Sequence, residues 1–516
     1  MIENNYILLF KKFIIVTLII FSALEAIIFP GWDNIFGCVV MIISWLMVNR
    51  FVLEKINFVN FFLPSSALLG YTFCYFYLPL VVTLFEGKPL TFNFEVPYTT
   101  FINQLINIVV LIIAYRIALH SVRTTGFVRK IWDKLGYFKV PSESTIWVIG
   151  FMGAFAILVG VFRQDNDSVY SAESSIGDQI LSTLRTFAFF PYCLLFPRMM
   201  GRQEKFKTSK FIPFYIILIS ILGIATTRRA IVFDGIAAII FLYLINLLVF
   251  KKRTKTKFSI KTVLIICLAI WASGPVADLA TAMILNRKNI TSGKNTFDDV
   301  MALYNDKEQL HTMYQFALME NGNGGNNTMG WDEYYVDNIF LDRFCNLRVQ
   351  DETLDLAQRS GYGNKLMKDY FDQYVINNLP GFIVNLSGNK KSILYTPVDA
   401  MLKQRFSIYQ YEGWKVGGDT GIGLATFGYW YYLFAIFLFV ITFIFLGSCT
   451  KVSAGMLLVP LPILSTYGWY FRYFDNAMGF YRSITLLLAS GWRQILLYCI
   501  LMFFVKRVFN FKTYRS

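Results

Sequence analysis

Twelve apolar stretches of 14 to 25 residues recur along this 516-residue chain and decide what it can fold into. They are Phe13–Phe29, Ile35–Val48, Phe62–Phe85, Phe101–Leu119, Ile146–Phe162, Ile180–Phe196, Phe211–Thr227, Ala230–Phe250, Val263–Leu285, Ile422–Leu446, Leu457–Phe471 and Ile484–Val505. A helix needs about 20 apolar residues to cross a bilayer, and fewer where polar groups face other helices. The second and eleventh stretches are the shortest. A soluble chain of this length has nowhere to hide a composition that is 56% hydrophobic, with a mean hydropathy of +0.50. The expected fold is therefore all-α: a polytopic membrane protein with about 12 transmembrane helices.

Lysine and arginine in the short loops orient these spans. Arg123, Arg129, Lys130, Lys134 and Lys139 follow the fourth stretch, and Arg198, Arg202, Lys205, Lys207 and Lys210 the sixth. Lys251, Lys252, Arg253, Lys255, Lys257 and Lys261 follow the eighth. These loops and both termini share a side, which the positive-inside rule makes cytoplasmic. The alternate loops, such as Glu86–Thr100 and Gln164–Gln179, are acidic or neutral. Topology thus accounts for the net charge of +15, and no nucleic-acid partner is expected. Met1–Lys12 imitates the start of a signal peptide, but no small-residue cleavage site follows, and a retained first helix is expected.

The same alternation puts Asn286–Thr420 outside. It carries 14 basic and 17 acidic residues, a net of −3, which leaves +18 on the rest of the chain. Apolar residues at helical spacing predict helices over Phe297–Glu320, Asp332–Gly361 and Lys365–Leu379, with Asn321–Asn327 as a turn. The organisation read from this is spans one to nine over 1–285, an ordered external domain over 286–420 and spans ten to twelve over 421–516. Its aromatics, among them Trp331, Tyr334, Tyr335, Tyr370 and Tyr374, fit a small helical core better than a sugar platform. Only Cys345 of the seven cysteines lies in this domain, and the two histidines are far apart, so neither an internal disulfide nor a metal site is expected.

Arginines on the outer side carry the chemistry. Thr226-Thr227-Arg228-Arg229 sits in an outer turn, against the charge rule, at the start of span eight. Backbone N–H groups, the helix dipole and two guanidinium forks would meet an anion there; the plainer reading is two arginines snorkelling to the interface. Arg163, Arg185, Arg472, Arg482 and Arg493 lie in or beside spans, where a charge costs about 2.5–3.5 kcal/mol and so faces a cavity or a partner. Pairing with Asp234, Asp475 or Glu25 is the structural alternative. In the domain, Arg343 and Arg348 are off one face, whereas Arg348 and Asp351 are (i, i+3), which reads as a solvated salt bridge. Asp419, beside Gly417-Gly418 at the rim of span ten, is either a helix cap or a base.

This layout resembles the Wzy-type polymerases of bacterial O-antigen and capsular repeat units, a family related in fold to the C-class glycosyltransferases. The local features are Ala225-Thr226-Thr227-Arg228-Arg229, Gly417-Gly418-Asp419-Thr420-Gly421-Ile422-Gly423 with Ala425-Thr426-Phe427-Gly428, and Tyr481-Arg482-Ser483. The likeness spans the chain in topology and only short stretches in sequence. Where the family places a second glycine after Phe-Gly, this chain has Tyr429-Trp430-Tyr431-Tyr432, and the loop histidine of the ligases is absent.

The resemblance implies transfer of a glycan between undecaprenyl-pyrophosphate carriers, as donor and acceptor, at the periplasmic face of the bacterial inner membrane. No metal or other cofactor is implied, because lipid pyrophosphate is already a good leaving group. Arg228, Arg229, Arg185, Arg472, Arg482, Arg343 and Arg348 would meet its charge, and Asp419 or Asp351 would deprotonate the acceptor. The bilayer, a chain-length regulator and a flippase are the implied partners. The alternatives are a lipid-linked oligosaccharide flippase or other transporter, with polar residues spread through many spans and no ordered external domain, and an O-antigen ligase-like transferase.

Overall fold

The computed structural model describes residues 6–162, 176–202, 204–225, 229–250, short pieces between 275 and 312, 331–392, 394–406, 415, 417–453, 456–474 and 479–509. Apolar runs become helices because a backbone group inside a bilayer has no water to turn to. α1 (Tyr6–Ile28) and α2 (Trp32–Phe51) form an antiparallel pair. α3 (Phe62–Phe76) and α4 (Leu78–Phe85) make one span broken at Tyr77, with Pro79 in the turn that restarts the helix. α5 (Pro97–His120) leads through Ser121 into the surface helix α6 (Val122–Lys134).

α7 (Glu143–Phe162) packs on α8 (Ile176–Thr186) and on the 3-10 segment Phe187–Leu195 that carries Pro191. α9 (Ile212–Ala225) and α10 (Arg229–Phe250) follow. The domain expected outside is built on α11 (Leu347–Ser360), α12 (Lys365–Asn378) and α13 (Pro397–Arg405). The chain returns through α14 (Asp419–Phe427) and α15 (Tyr431–Ser448) to the antiparallel hairpin of β1 (Lys451–Ser453) and β2 (Met456–Leu458). Short α16 (Leu461–Ser465) and α17 (Tyr467–Phe471) lead to α18 (Gly479–Thr485), the π turn Leu486–Ser490 and α19 (Gly491–Phe509).

Among the described residues, six helical segments are long and apolar enough to cross a membrane: Ile7–Ile28, Trp32–Phe51, Phe62–Phe85, Pro97–His120, Asp419–Ser448 and Gly479–Val508. Glu143–Val159 and Ile180–Leu195 are apolar but shorter. The protein is thus a helical multi-pass membrane protein. The expected ninth span, Val263–Leu285, falls almost wholly outside the described residues.

Two expected spans differ in kind. Ile422–Leu446 is broken at Gly428, whose φ of +60° a side chain would resist. Leu457–Phe471 yields only α16 and α17, five residues each, reaching about 16 Å, half a hydrocarbon core. The carbonyl of Phe471 ends against the middle of α3, where a Cβ on Gly70 would lie 1.7 Å from it. This half-span therefore stops inside the bundle.

In the domain, Lys365–Leu379 is observed as expected, with the Asn364 side chain accepting from Met367 N at 2.9 Å. Asp332–Gly361 is helical only from Ile339–Asp342 and Leu347 onward. The start of this stretch bonds instead to the loop between α4 and α5. Asn93 donates to Asp332 (2.7 Å) and to the Tyr334 carbonyl (3.0 Å), Tyr335 donates to the Leu90 carbonyl (2.7 Å), and Asp337 N donates to Glu86 (2.9 Å). Of Phe297–Glu320, Phe297–Asn305 is helical, and most of the remainder lies outside the described residues. Trp331, Tyr335, Tyr370 and Tyr374 are buried, as the core reading expects, whereas Tyr334 is half-buried.

The loops sort into two faces. The Glu86–Thr100 loop and the external domain meet on one. On the other, Arg129 donates to the Gly447 carbonyl (2.8 Å), Trp132 to Ser448 (3.0 Å) and Val459 N to the Met199 carbonyl (2.8 Å), while Lys451 pairs with Asp133 at 3.1 Å. The basic loops after the fourth and sixth stretches thus share a face with the hairpin.

A methyl at Gly70 has to displace backbone, so Gly70→Ala should lower thermal stability by at least the 1–3 kcal/mol typical of roughly one extra buried carbon. Gly126, in α6, has open space around it; Gly126→Ala should be neutral or stabilising by up to about 1 kcal/mol. Melting of the two purified variants in one detergent checks the contrast.

Candidate functional site

The site is assembled from the seat of the helical domain built on α11, α12 and α13. Asp351, on α11, is fully buried and accepts hydrogen bonds from Glu95 N (2.6 Å), Val96 N (3.1 Å) and the Thr100 hydroxyl (2.7 Å). These donors lie at the entry to α5, where a helix leaves N–H groups unmatched and favours negative charge. Arg348 supplies the counter-charge, with Nη1 3.1 Å from Asp351 and Nη2 against Glu352. The (i, i+3) pair expected from spacing is present, but it is buried rather than solvated, with Arg348 1% exposed. Asp351 and Arg348 thus hold the domain on the bundle and face no open surface.

One guanidinium serves two acids here, and the acids are not equivalent. Asp351 has three further donors, whereas Glu352 has none of them. Burial raises both carboxyls, Glu352 to about 7 against the pull of Arg348, and the donors temper the rise of Asp351. Glu352 thus has Arg348 alone to offset its burial.

The glycine run before span ten has a packing cause. Added Cβ atoms would lie 2.7 Å from the Gln350 Cα at Gly418 and 2.8 Å from the Thr353 backbone at Gly421, and Gly418 N donates to Thr353 Oγ1 at 2.6 Å. α14 and α11 therefore touch backbone to backbone, which fixes Asp419. Its carboxylate accepts from Phe480 N at 2.8 Å and from the Tyr431 hydroxyl at 3.1 Å. Tyr431 reaches it because the break at Gly428 folds its ring back onto Gly423. Asp419 is thus buried and caps the first turn of α18.

From α18 the contacts run to three of the expected arginines. Arg482 Nη1 donates to the carbonyls of Arg472 and Tyr473, both at 2.9 Å, and its guanidinium lies over the Trp469 ring at 5.2 Å. Carbonyls just past the end of the α17 half-span thereby find a cation, as helix C-termini favour. Arg472 donates to the Arg343 carbonyl and lies over the Phe344 ring at 4.5 Å. Arg343 itself is exposed. Phe471 stacks on Phe241 of α10 and Phe344 meets the same ring edge-on, so α10 joins this group.

The remaining candidates stand apart. Arg185 Nε reaches the Ala156 carbonyl at 3.4 Å, on the α7–α8 pair. Arg228, Arg163 and Asp475 lie outside the described residues, as do the side chains of Arg229 and Asp234, although the backbone of Arg229 opens α10. Glu25 bonds Leu90 N at 2.7 Å rather than an arginine.

Sequence reasoning missed Tyr431, Lys88 and a polar seam between spans. Asn103, Gln104 and Asn107, three buried amides on α5, meet Tyr71 and Tyr432: Asn107 donates to the Tyr71 hydroxyl at 2.9 Å, Tyr71 to Gln104 and Tyr432 to Asn103. Amides in an apolar run were the available signal. Lys88 pairs with Asp337 at 2.8 Å and Glu86 at 3.2 Å and lies 4.6 Å from the Tyr334 ring centre, a second clasp between loop and domain.

Among the described residues no group of His, Cys, Asp and Glu is arranged to hold a metal. Comparison with protein-family models, curated proteins and solved structures finds no match in any of the three.

A carboxyl raised by burial stabilises the fold while protonated and loses that contribution as pH climbs through its folded value. For Glu352 the window runs from the model-compound value of 4.5 to about 7. Glu352→Gln should therefore flatten part of the fall in melting temperature between pH 5 and pH 8, roughly the range that window spans. Parallel melting curves at the two pH values check this, and identical slopes for wild type and variant would refute it.

Proposed function

We propose that this protein is a membrane glycosyltransferase that polymerises undecaprenyl-pyrophosphate-linked repeat units into O-antigen or capsular polysaccharide. On this reading it works at the periplasmic face of the bacterial inner membrane, through about 12 spans, on a C-class glycosyltransferase-like scaffold. One observation carries the reading: Asp419 holds the backbone of Phe480, two residues before Arg482, and Arg482 and Arg472 donate in turn to the carbonyls of Arg472 and Arg343.

The acceptor hydroxyl attacks the anomeric carbon of the donor glycan, and the bond from that carbon to the pyrophosphate oxygen breaks. The hydroxyl proton passes to a carboxylate, and lipid pyrophosphate leaves with both electrons of the broken bond. Of the two expected bases, Asp419 fits better, because Asp351 is committed to Arg348 and the start of α5. Arg343, Arg472 and Arg482 meet the charge that grows on the leaving group, and Arg228, Arg229 and Arg185 remain further candidates for it. Arg348 is proposed as a positioning residue instead, since it is already paired with two carboxylates. The ordered domain favours this reading over a flippase.

Deleting the gene in a strain that makes surface polysaccharide should collapse the ladder of chain lengths to a single repeat unit on a gel. Surface glycan lost while lipid-linked polymer accumulates would mean a ligase, and unaltered glycan would overturn the proposal. Arg343→Ala removes an exposed side chain and leaves the carbonyl that Arg472 uses. It should cut polymer about 100-fold at normal protein level, the scale of losing one charge-stabilising donor. A full ladder would remove the anion site from this cluster.

A further inference from the structure

α6 runs on from the span α5 with only Ser121 between them, so it begins where that span leaves the hydrocarbon. Its 13 residues divide by face. Thr125 and Trp132 are buried against the bundle, and Arg129 is held by the Gly447 carbonyl. The opposite side carries Phe127 (66% exposed), Ile131 (38%) and the capping residue Leu135 (46%) at i, i+4, i+8 spacing. Beside that row lie Arg123, Lys130 and Lys134, all exposed, with Lys130 and Lys134 one turn apart. Asp133, the acid of this helix, pairs with Lys451 of the hairpin at 3.1 Å. An apolar row flanked by cations on a helix anchored at a span end suits the boundary between acyl chains and headgroups.

We infer that α6 is an interfacial helix that binds anionic phospholipid headgroups. Phe127, Ile131 and Leu135 enter the acyl boundary, and Arg123, Lys130 and Lys134 bridge lipid phosphates. Charge complementarity selects this occupant: a zwitterionic surface satisfies the apolar row and leaves the cations without a net counter-charge. The inference does not depend on the reaction proposed above.

The test is native mass spectrometry of the full-length protein, titrated in detergent with phosphatidylglycerol or phosphatidylcholine. The wild type should retain phosphatidylglycerol preferentially, by roughly fivefold for each cation that a headgroup bridges. The variant Arg123→Gln/Lys130→Gln/Lys134→Gln should lose most of that preference while melting like the wild type in phosphatidylcholine nanodiscs. If the triple variant melts lower, Lys130→Gln alone is measured against the same expectation, a loss of about fivefold. Equal retention of both lipids by the wild type, or undiminished phosphatidylglycerol preference in the variant, would overturn the inference, and selective loss of an associated protein instead would assign the face to a protein partner.

Discussion

The carboxylate of Asp351 is the joint between the two halves of this molecule. It accepts three hydrogen bonds from the chain entering α5 and is balanced by Arg348 from its own helix. A buried carboxylate is tolerated only when its oxygens are matched and its charge is met, so neither half can shift without exposing the other's unmet groups. The orientation this gives α11 decides where the glycines before α14 can dock. That docking places Asp419, and Asp419 in turn fixes the first turn of α18 and the arginine that follows it.

The helix interruptions belong to the same arrangement. A straight span from Asp419 to Ser448 would carry Tyr431 well over 10 Å down the axis from Asp419, at about 1.5 Å per residue. The break at Gly428 brings the Tyr431 hydroxyl back to the carboxylate. The α17 half-span likewise leaves carbonyls inside the bundle, which Arg482 supplies with a donor. Non-helical backbone at this depth is stable because protein rather than lipid surrounds it.

Much of this was legible in the sequence, for reasons that differ by element. Long spans such as Pro97–His120 declare themselves because bilayer solvation depends on composition, which the sequence displays directly. The (i, i+3) pairing of Arg348 with Asp351 was also legible, being fixed by helix geometry alone. The burial of that pair was not, because it depends on Glu95, Val96 and Thr100, some 250 positions away. For the same reason the 332–338 stretch looks helical by spacing and is not helical in fact: its hydrogen bonds go to loop 86–94, which no local pattern reports. The half-span left a trace in the shortness of Leu457–Phe471, but shortness alone does not separate a tilted span from one that turns back.

The contact at Gly70 has a bearing on selectivity. Beside Arg472 the packing is backbone on backbone, the Phe471 carbonyl against a helix that has no side chain at that point to move aside. Such a contact cannot adjust by turning a side chain, so on the function proposed above it would fix how deeply an anionic group rests beside Arg472. Discrimination among the groups attached to that anion would then fall to side chains of the domain, in α12, α13 and the segment 331–338. On the proposed function, two proteins sharing this contact would accept different glycans by changing the domain alone.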